Sequence, residues 1–224
     1  LKQLIINNMS QFIFDLEVAK NYNEHDFIVN ATNKKAVDLI SLWPDWHNKA
    51  AILYGESKSG KSHLGSIWLK RSRAKLIDIH DKSFKYNIND KSNYLIDNFS
   101  YIQPQQENII LDIFNKCLFN DNYILFLCNN EKKINFCLKD LESRFNSVLS
   151  TSINDPDDQI VDVLINKFFS DNQVLISIEV IKYLSGRIER SYKELYKTLE
   201  KINNASLKNK QKITIPFLRQ HFFN

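Results

Sequence analysis

A chain of 224 residues with 43% hydrophobic and 25% charged residues has the composition of a folded globular protein with room for one or two cored domains. Its apolar runs are too short to span a bilayer and no signal-peptide pattern stands out, so the expected setting is cytoplasmic, without membrane contact. The net charge of +4 is mild, no basic-aromatic array singles out nucleic acid, and Cys117, Cys128 and Cys137 lack metal-ligand spacing and read as reduced thiols.

Residues 1–31 form an N-terminal arm. Met9 is the only methionine, and one reading is that translation starts there, with residues 1–8 upstream of the native start. Gln11-Phe12-Ile13-Phe14-Asp15-Leu16 fits two readings: a short strand anchored on the core, or a linear peptide whose side chains enter a partner's groove. Thr32 and Asn33 read as the N-cap of a helix over 34–42, with Ala36, Val37, Ile40 and Leu42 along one side. Pro44 ends that helix, and Trp43-Pro44-Asp45-Trp46 reads as a packed turn.

Ala50-Ala51-Ile52-Leu53-Tyr54 is a strand, and Leu64, Ile67 and Trp68 continue at helical spacing. Between them stands Gly55-Glu56-Ser57-Lys58-Ser59-Gly60-Lys61-Ser62. Strand, tight loop and helix are the setting of the phosphate-binding P-loop; the bland alternative is a Gly/Ser turn. Two glycines let the backbone N–H groups turn inward on phosphate oxygens, and the helix N-terminus adds its positive dipole end. Gly55, Lys58, Ser59, Gly60, Lys61, Ser62 and His63 are the expected nucleotide-binding residues here, with Lys61 on the β- and γ-phosphates and Ser62 on Mg²⁺.

Strands are expected over 74–79 and 93–97. The second ends in Asp97, the Walker B pattern of a carboxylate that holds Mg²⁺. Asn98 follows where many P-loop ATPases place a second carboxylate; an amide cannot act as a base, so weak intrinsic hydrolysis is expected. A helix over 107–119 and an apolar strand over 123–128 come next. Asn129 and Asn130 then sit at the sheet edge where open α/β folds bind ligands, either as a γ-phosphate contact or as a strand-end turn. A helix over 134–145 and a strand over 148–153 lead to Asn154-Asp155-Pro156-Asp157, the clearest domain boundary. Beyond it everything is helical, with stripes through Ile160 to Phe168, Ile178 to Leu184, and Ile188 to Ile202, and a last helix opened by Pro216. Arg187 and Arg190 stand at the expected start of the third of these helices, where solvated surface arginines are the bland reading.

These parts together resemble the initiator clade of AAA+ proteins: DnaA and its shorter paralogue Hda, the regulatory inactivator of DnaA. The resemblance runs from Gln11 to Phe222 and is closer to the Hda type. It is carried by Tyr94-Leu95-Ile96-Asp97-Asn98, by Gln11 to Leu16 standing before Asp26-Phe27-Ile28-Val29, by Trp43-Pro44-Asp45-Trp46, and by Lys212-Ile213-Thr214-Ile215-Pro216-Phe217. The resemblance implies an α/β AAA+ P-loop NTPase: a five-stranded parallel sheet over 32–154, a small all-helical lid domain over 155–224, and the arm before them. It implies that Arg144 of Ser143-Arg144-Phe145 is an arginine finger acting in trans, that Asn130 is the sensor 1 residue and Arg190 the sensor 2 residue, and that Phe27, Ile28, Val29 and Asn33 recognise adenine. Gln11, Phe12, Phe14 and Leu16 become a sliding-clamp-binding peptide. The implied cofactors are ADP or ATP with Mg²⁺. The implied partners are the DnaA initiator, the β-subunit sliding clamp, DNA reached mainly through the clamp, and a second copy in a homodimer. The implied place is the nucleoid, and the implied role is negative regulation of replication initiation. DnaA carries a C-terminal helix-turn-helix domain, and a chain ending at Asn224 is expected to lack it. Two rivals stand beside this: a DnaC-like helicase loader or truncated initiator ATPase acting on single-stranded DNA, and a small-molecule P-loop kinase.

Overall fold

The computed structural model describes residues 27–79, 91–99, 102–129 and 134–223. Gln11, Phe12, Phe14 and Leu16 of the expected clamp peptide, and Asn130, lie outside the described residues.

Five strands form one sheet: β1 (Ala50–Gly55), β2 (Lys75–Ile77), β3 (Tyr94–Ile96), β4 (Ile124–Cys128) and β5 (Leu149–Ile153). All pairings are parallel, in the order β2-β3-β4-β1-β5. Alternation fills both faces, as a parallel sheet requires. Ile52 of β1, Ile96 of β3 and Phe126 of β4 point to one face, where α3 (Pro104–Phe119) and α4 (Lys139–Asn146) bring Ile110, Ile113, Phe114, Leu141 and Phe145. Leu53, Leu95, Leu125 and Leu127 point to the other, against α1 (Lys34–Leu42) and α2 (Lys61–Ser72). The turn at Trp43 to Trp46 is packed as expected: Trp46 stacks on Trp68 with ring centroids 5.2 Å apart and donates its Nε1–H to the Leu39 carbonyl at 2.8 Å. Gly65 brings α2 down on the sheet; a Cβ there would sit 2.6 Å from Leu127 Cδ1.

The helices α5 (Asp158–Asp171), α6 (Ile178–Ser185), α7 (Tyr192–Asn209) and α8 (Ile215–His221) share an apolar cluster of their own, centred on Ile165, Phe169, Leu184, Leu195, Leu199 and Ile202. Asp157, Ser177, Ser191 and Thr214 cap their N-termini through side-chain oxygens.

Two expectations are corrected. The helix expected over 134–145 begins only at Lys139, because the buried Glu107 carboxylate takes the N–H groups of Cys137 at 2.9 Å and Leu138 at 2.7 Å and holds Leu138 extended. The third lid helix begins at Tyr192, so Arg187 and Arg190 lie in the connection that precedes it.

Candidate functional site

Strand β1 delivers the P-loop at the C-terminal edge of the sheet. A Cβ on Gly55 would meet Ser59 Oγ at 2.8 Å and Ile153 Cβ at 3.2 Å, so the loop closes tightly only on glycine. Gly60 has φ +102°, in the left-handed region, and a Cβ there would stand 3.0 Å from Phe27 Cε2. Helix α2 starts immediately afterwards without a side-chain cap, leaving its first N–H groups and positive dipole end for an anion. The Ser59 hydroxyl is buried and has no hydrogen-bond partner among the described residues. Lys61 is only 4% exposed and donates from Nζ to the Glu56 carbonyl at 2.8 Å. Burial pushes its ammonium below the usual lysine range, against the pull of Asp97, Cys128 and Glu56.

Beside the loop, Ser62 Oγ donates to Asp97 Oδ2 at 2.9 Å, which joins the start of α2 to the end of β3. Asp97 Oδ1 accepts the Asn98 N–H at 2.7 Å, and Asn98 has φ +56°. One hydroxyl and one carboxylate suit Mg²⁺, which keeps several waters and takes phosphate oxygens. An all-protein cage is a different design, and no group of three or more His, Cys, Asp or Glu forms one among the described residues. The orphaned Ser59 hydroxyl, the uncapped helix start and this donor pair all fit a phosphate chain with its divalent cation.

A cleft continues from the loop, with Phe27, Ile28 and Asn33 on one wall, His63 against the Phe27 ring, and Leu164 and Tyr196 from the lid opposite. Flat apolar walls of this kind suit a nucleobase. Asn33 is at the expected N-cap position, but its side chain turns back: Nδ2 donates to the Ile28 carbonyl at 2.8 Å and Oδ1 accepts the Asn30 N–H at 2.9 Å. It therefore shapes the 27–33 segment. Val29 is 57% exposed and does not line the cleft. Lys58, Ser59 and Gly60 do line it. Burial pushes the Tyr196 phenol up to about 12 and also raises that of Tyr192, whose hydroxyl lies 3.2 Å from Thr32 Oγ1.

The two expected arginines occupy different surroundings. Arg190 stays within the lid, with Nη1 donating to the Ser185 carbonyl at 2.8 Å and Nη2 paired with Asp158 Oδ1 at 2.6 Å; it does not line the cleft. Arg144, near the end of α4, is exposed, lies 6.0 Å from the Phe114 ring centroid, and makes no ion pair among the described residues. Its position relative to the P-loop follows from register. Residue 149, five places on, opens β5 opposite Ala51, whereas the P-loop leaves β1 at Gly55, opposite Ile153. Four strand residues, about 13 Å at 3.3 Å each, separate those two levels. Arg144 thus stands at the sheet edge away from its own P-loop.

Sequence reasoning missed Glu56, whose carboxylate accepts Ser191 Oγ–H at 2.7 Å and the Lys193 N–H at 3.3 Å at the start of α7. Its signal was available: a carboxylate is an odd choice in a loop that wraps phosphates.

Comparison with known proteins agrees with this fold. The family profile described as the Hda lid domain matches residues 161–222. Over 239 residues the chain is 29% identical to the chromosomal replication initiator protein DnaA of Buchnera aphidicola subsp. Cinara cedri, covering 94% of this chain and 54% of that protein. For the DnaA of Mycoplasma capricolum the identity is 23%, over 91% of this chain and 53% of that protein. The chain therefore spans about half the length of the curated relatives it matches. Domain III of the Thermotoga maritima DnaA superposes with a TM-score of 0.72 at 15% identity, over 90% of this chain and 95% of that one. The AMPPCP-bound DnaA of Aquifex aeolicus gives 0.64 at 17% identity, over 82% and 65%. The Thermotoga maritima RuvB branch-migration motor gives 0.60 at 12% identity, over 84% and 67%. These structures share the AAA+ fold with this chain. No described helix is long and apolar enough to cross a membrane.

Proposed function

We propose that this chain, an AAA+ protein related to DnaA and Hda, is a nucleotide-bound negative regulator of chromosomal replication initiation. Its own site binds ADP or ATP with Mg²⁺. Lys61, Ser59 and the N–H groups at the start of α2 hold the phosphates, Ser62 and Asp97 hold the cation, and Phe27, Ile28 and the lid tyrosines enclose the base. Mg²⁺ held by Ser62 and Asp97 would neutralise phosphate charge. Asn98 offers no base, which suits a nucleotide that is kept and not turned over. Asn130 and Arg190 remain the candidate sensor residues.

The observation that carries the regulatory reading is the position of Arg144, exposed, without an ion pair among the described residues, and at the sheet edge away from its own P-loop. A guanidinium there suits a neighbouring molecule's nucleotide and not its own. In this account the Gln11 to Leu16 peptide docks on the sliding clamp, DNA is reached through the clamp, and Arg144 enters the site of ATP-bound DnaA. There it stabilises charge on the transferred phosphoryl group; fingers supplied in trans accelerate hydrolysis by about 10³–10⁵-fold. The Hda-type lid over 161–222 supports this choice among DnaA-related roles. For the docking step, the test is Gln11→Ala with Phe14→Ala: clamp affinity falls while ADP affinity is kept, and equal clamp affinity in the double variant removes the peptide from the account.

A second reading rests on the relatives, which are themselves initiators, one neighbour being described as bound to AMPPCP and single-stranded DNA. It makes the chain an initiator-like or helicase-loader ATPase. Fast, DNA-stimulated ATP turnover by the purified protein would favour it over the first.

A further inference from the structure

Glu56 has the same sign of charge as the phosphates its loop would wrap, and its side chain is engaged elsewhere. The carboxylate reaches across to the lid and accepts from Ser191 Oγ at 2.7 Å and from the Lys193 N–H at 3.3 Å. Ser191 already caps α7, accepting the Glu194 N–H at 3.2 Å. Helix α7 therefore has a cap of its own and takes a second capping group from the P-loop. Among the described residues two other polar links join α7 to the sheet side: Lys58 to Glu200 at 3.4 Å, between half-exposed groups that water screens, and Tyr192 to Thr32. Only Glu56 also touches the phosphate-binding lysine, because its carbonyl oxygen accepts Lys61 Nζ at 2.8 Å. The backbone of one residue thus holds Lys61, and its side chain holds the first turn of the 18-residue helix whose Leu195, Leu199 and Ile202 anchor the lid core.

We infer that Glu56 is a positioning residue that transmits the state of the phosphate site to the lid through the N-terminus of α7, an inference that rests on the nucleotide-binding reading above. The phosphate oxygens of a nucleoside diphosphate compete with the Glu56 carbonyl for the Lys61 ammonium. When Lys61 turns to them, the Glu56 carbonyl loses its charge-assisted partner and keeps only the Ser59 N–H at 3.1 Å, and its carboxylate shifts against Ser191 and Lys193. The ligand thereby makes different contacts in two lid arrangements, which is what a population shift requires.

The experiment is amide hydrogen exchange on the full chain with and without Mg-ADP, alongside calorimetric titration of ADP. In the wild type, Mg-ADP changes exchange over residues 192–195 by about tenfold, the scale of one or two capping contacts. In Glu56→Ala at saturating ADP that response falls below about twofold. Glu56→Gln, which keeps an acceptor for Ser191, retains part of it. Ser191→Ala, which leaves the Lys193 contact, also retains part and serves if Glu56→Ala does not fold. Exchange in α6, outside the link, gives the same response in all. A purely structural Glu56 would raise exchange at 192–195 by one factor in both states and leave the Mg-ADP response at its wild-type size; that result overturns the inference while leaving nucleotide binding intact. Absence of ADP binding in the wild type overturns the nucleotide reading and the coupling together.

Discussion

Replacing Glu107 with glutamine tests how the segment carrying Arg144 is held. Glu107 is 1% exposed, and its two oxygens accept the N–H groups of Cys137 and Leu138 at 2.9 and 2.7 Å, at the entrance to α4. Glutamine keeps one acceptor and turns an NH₂ toward the other N–H, so one charge-assisted bond is lost, and the N–H of exposed Cys137 or half-buried Leu138 is left to water. A hydrogen bond to a charged group contributes about 1.5–3 kcal/mol, so the substitution should cost about 2–3 kcal/mol. That is a large share of a typical stability of about 5–15 kcal/mol. With a urea m-value of about 2–3 kcal/mol/M for a chain of this size, the midpoint should fall by about 1 M at unchanged m. Exchange at the Cys137 and Leu138 amides should accelerate before any change in the strands. A midpoint within about 0.2 M of wild type, with those two amides still protected, would refute the assignment of Glu107 as the anchor of α4.

Two further outcomes follow from the same structure. Gly60→Ala places a Cβ at φ +102° and 3.0 Å from Phe27 Cε2, a strain of about 1–3 kcal/mol, so the urea midpoint should fall by about 0.5–1 M and ADP affinity by about tenfold or more; calorimetric titration with unaltered affinity would contradict the loop geometry. Burial pushes the Cys117 and Cys128 thiols from 9.0 up to about 12 and the Tyr196 phenol from 10.0 up to about 12. Their protonated forms are bound in the fold. Stability from these groups is therefore fully present below pH 9 and is lost as pH rises toward about 12, at about 1.4 kcal/mol per pH unit for each group. Urea midpoints over that window should fall steeply, and Cys117→Ala with Cys128→Ala should flatten the first part of the fall; a wild-type profile that stays level would show that the thiols titrate freely.

Most of the fold was legible because its signals are local. The apolar run before Gly55, the spacing of Gly55, Gly60 and Lys61, and the apolar strand ending at Asp97 each fix a strand end or a loop within a few residues. Elements failed where a distant partner decided them. Ile134, Leu138, Leu141 and Phe145 fall at helical spacing and read as one helix, yet Glu107, about thirty residues away, claims the N–H groups that a helix would need. Helix α3 starts at Pro104, one turn before the 107–119 stripe, where Gln106 Oε1 takes the Gln103 N–H at 2.9 Å. The Glu56 contact with Ser191 spans 135 residues, and its one local sign is a carboxylate in a phosphate-wrapping loop, which does not name the partner. Three residues expected at the nucleotide take other places in the fold: Asn33 braces the 27–33 segment, Val29 faces solvent, and Arg190 pairs with Asp158 inside the lid.

The most direct test of the regulatory account is single-turnover hydrolysis of labelled ATP bound to the cognate DnaA, on clamp-loaded DNA, with Mg-ADP and either wild-type protein or Arg144→Ala. The account predicts acceleration by the wild type that requires the clamp and is lost in Arg144→Ala, while that variant keeps wild-type ADP and clamp affinities. Equal acceleration by Arg144→Ala, or none by folded, clamp-bound wild type, would contradict it.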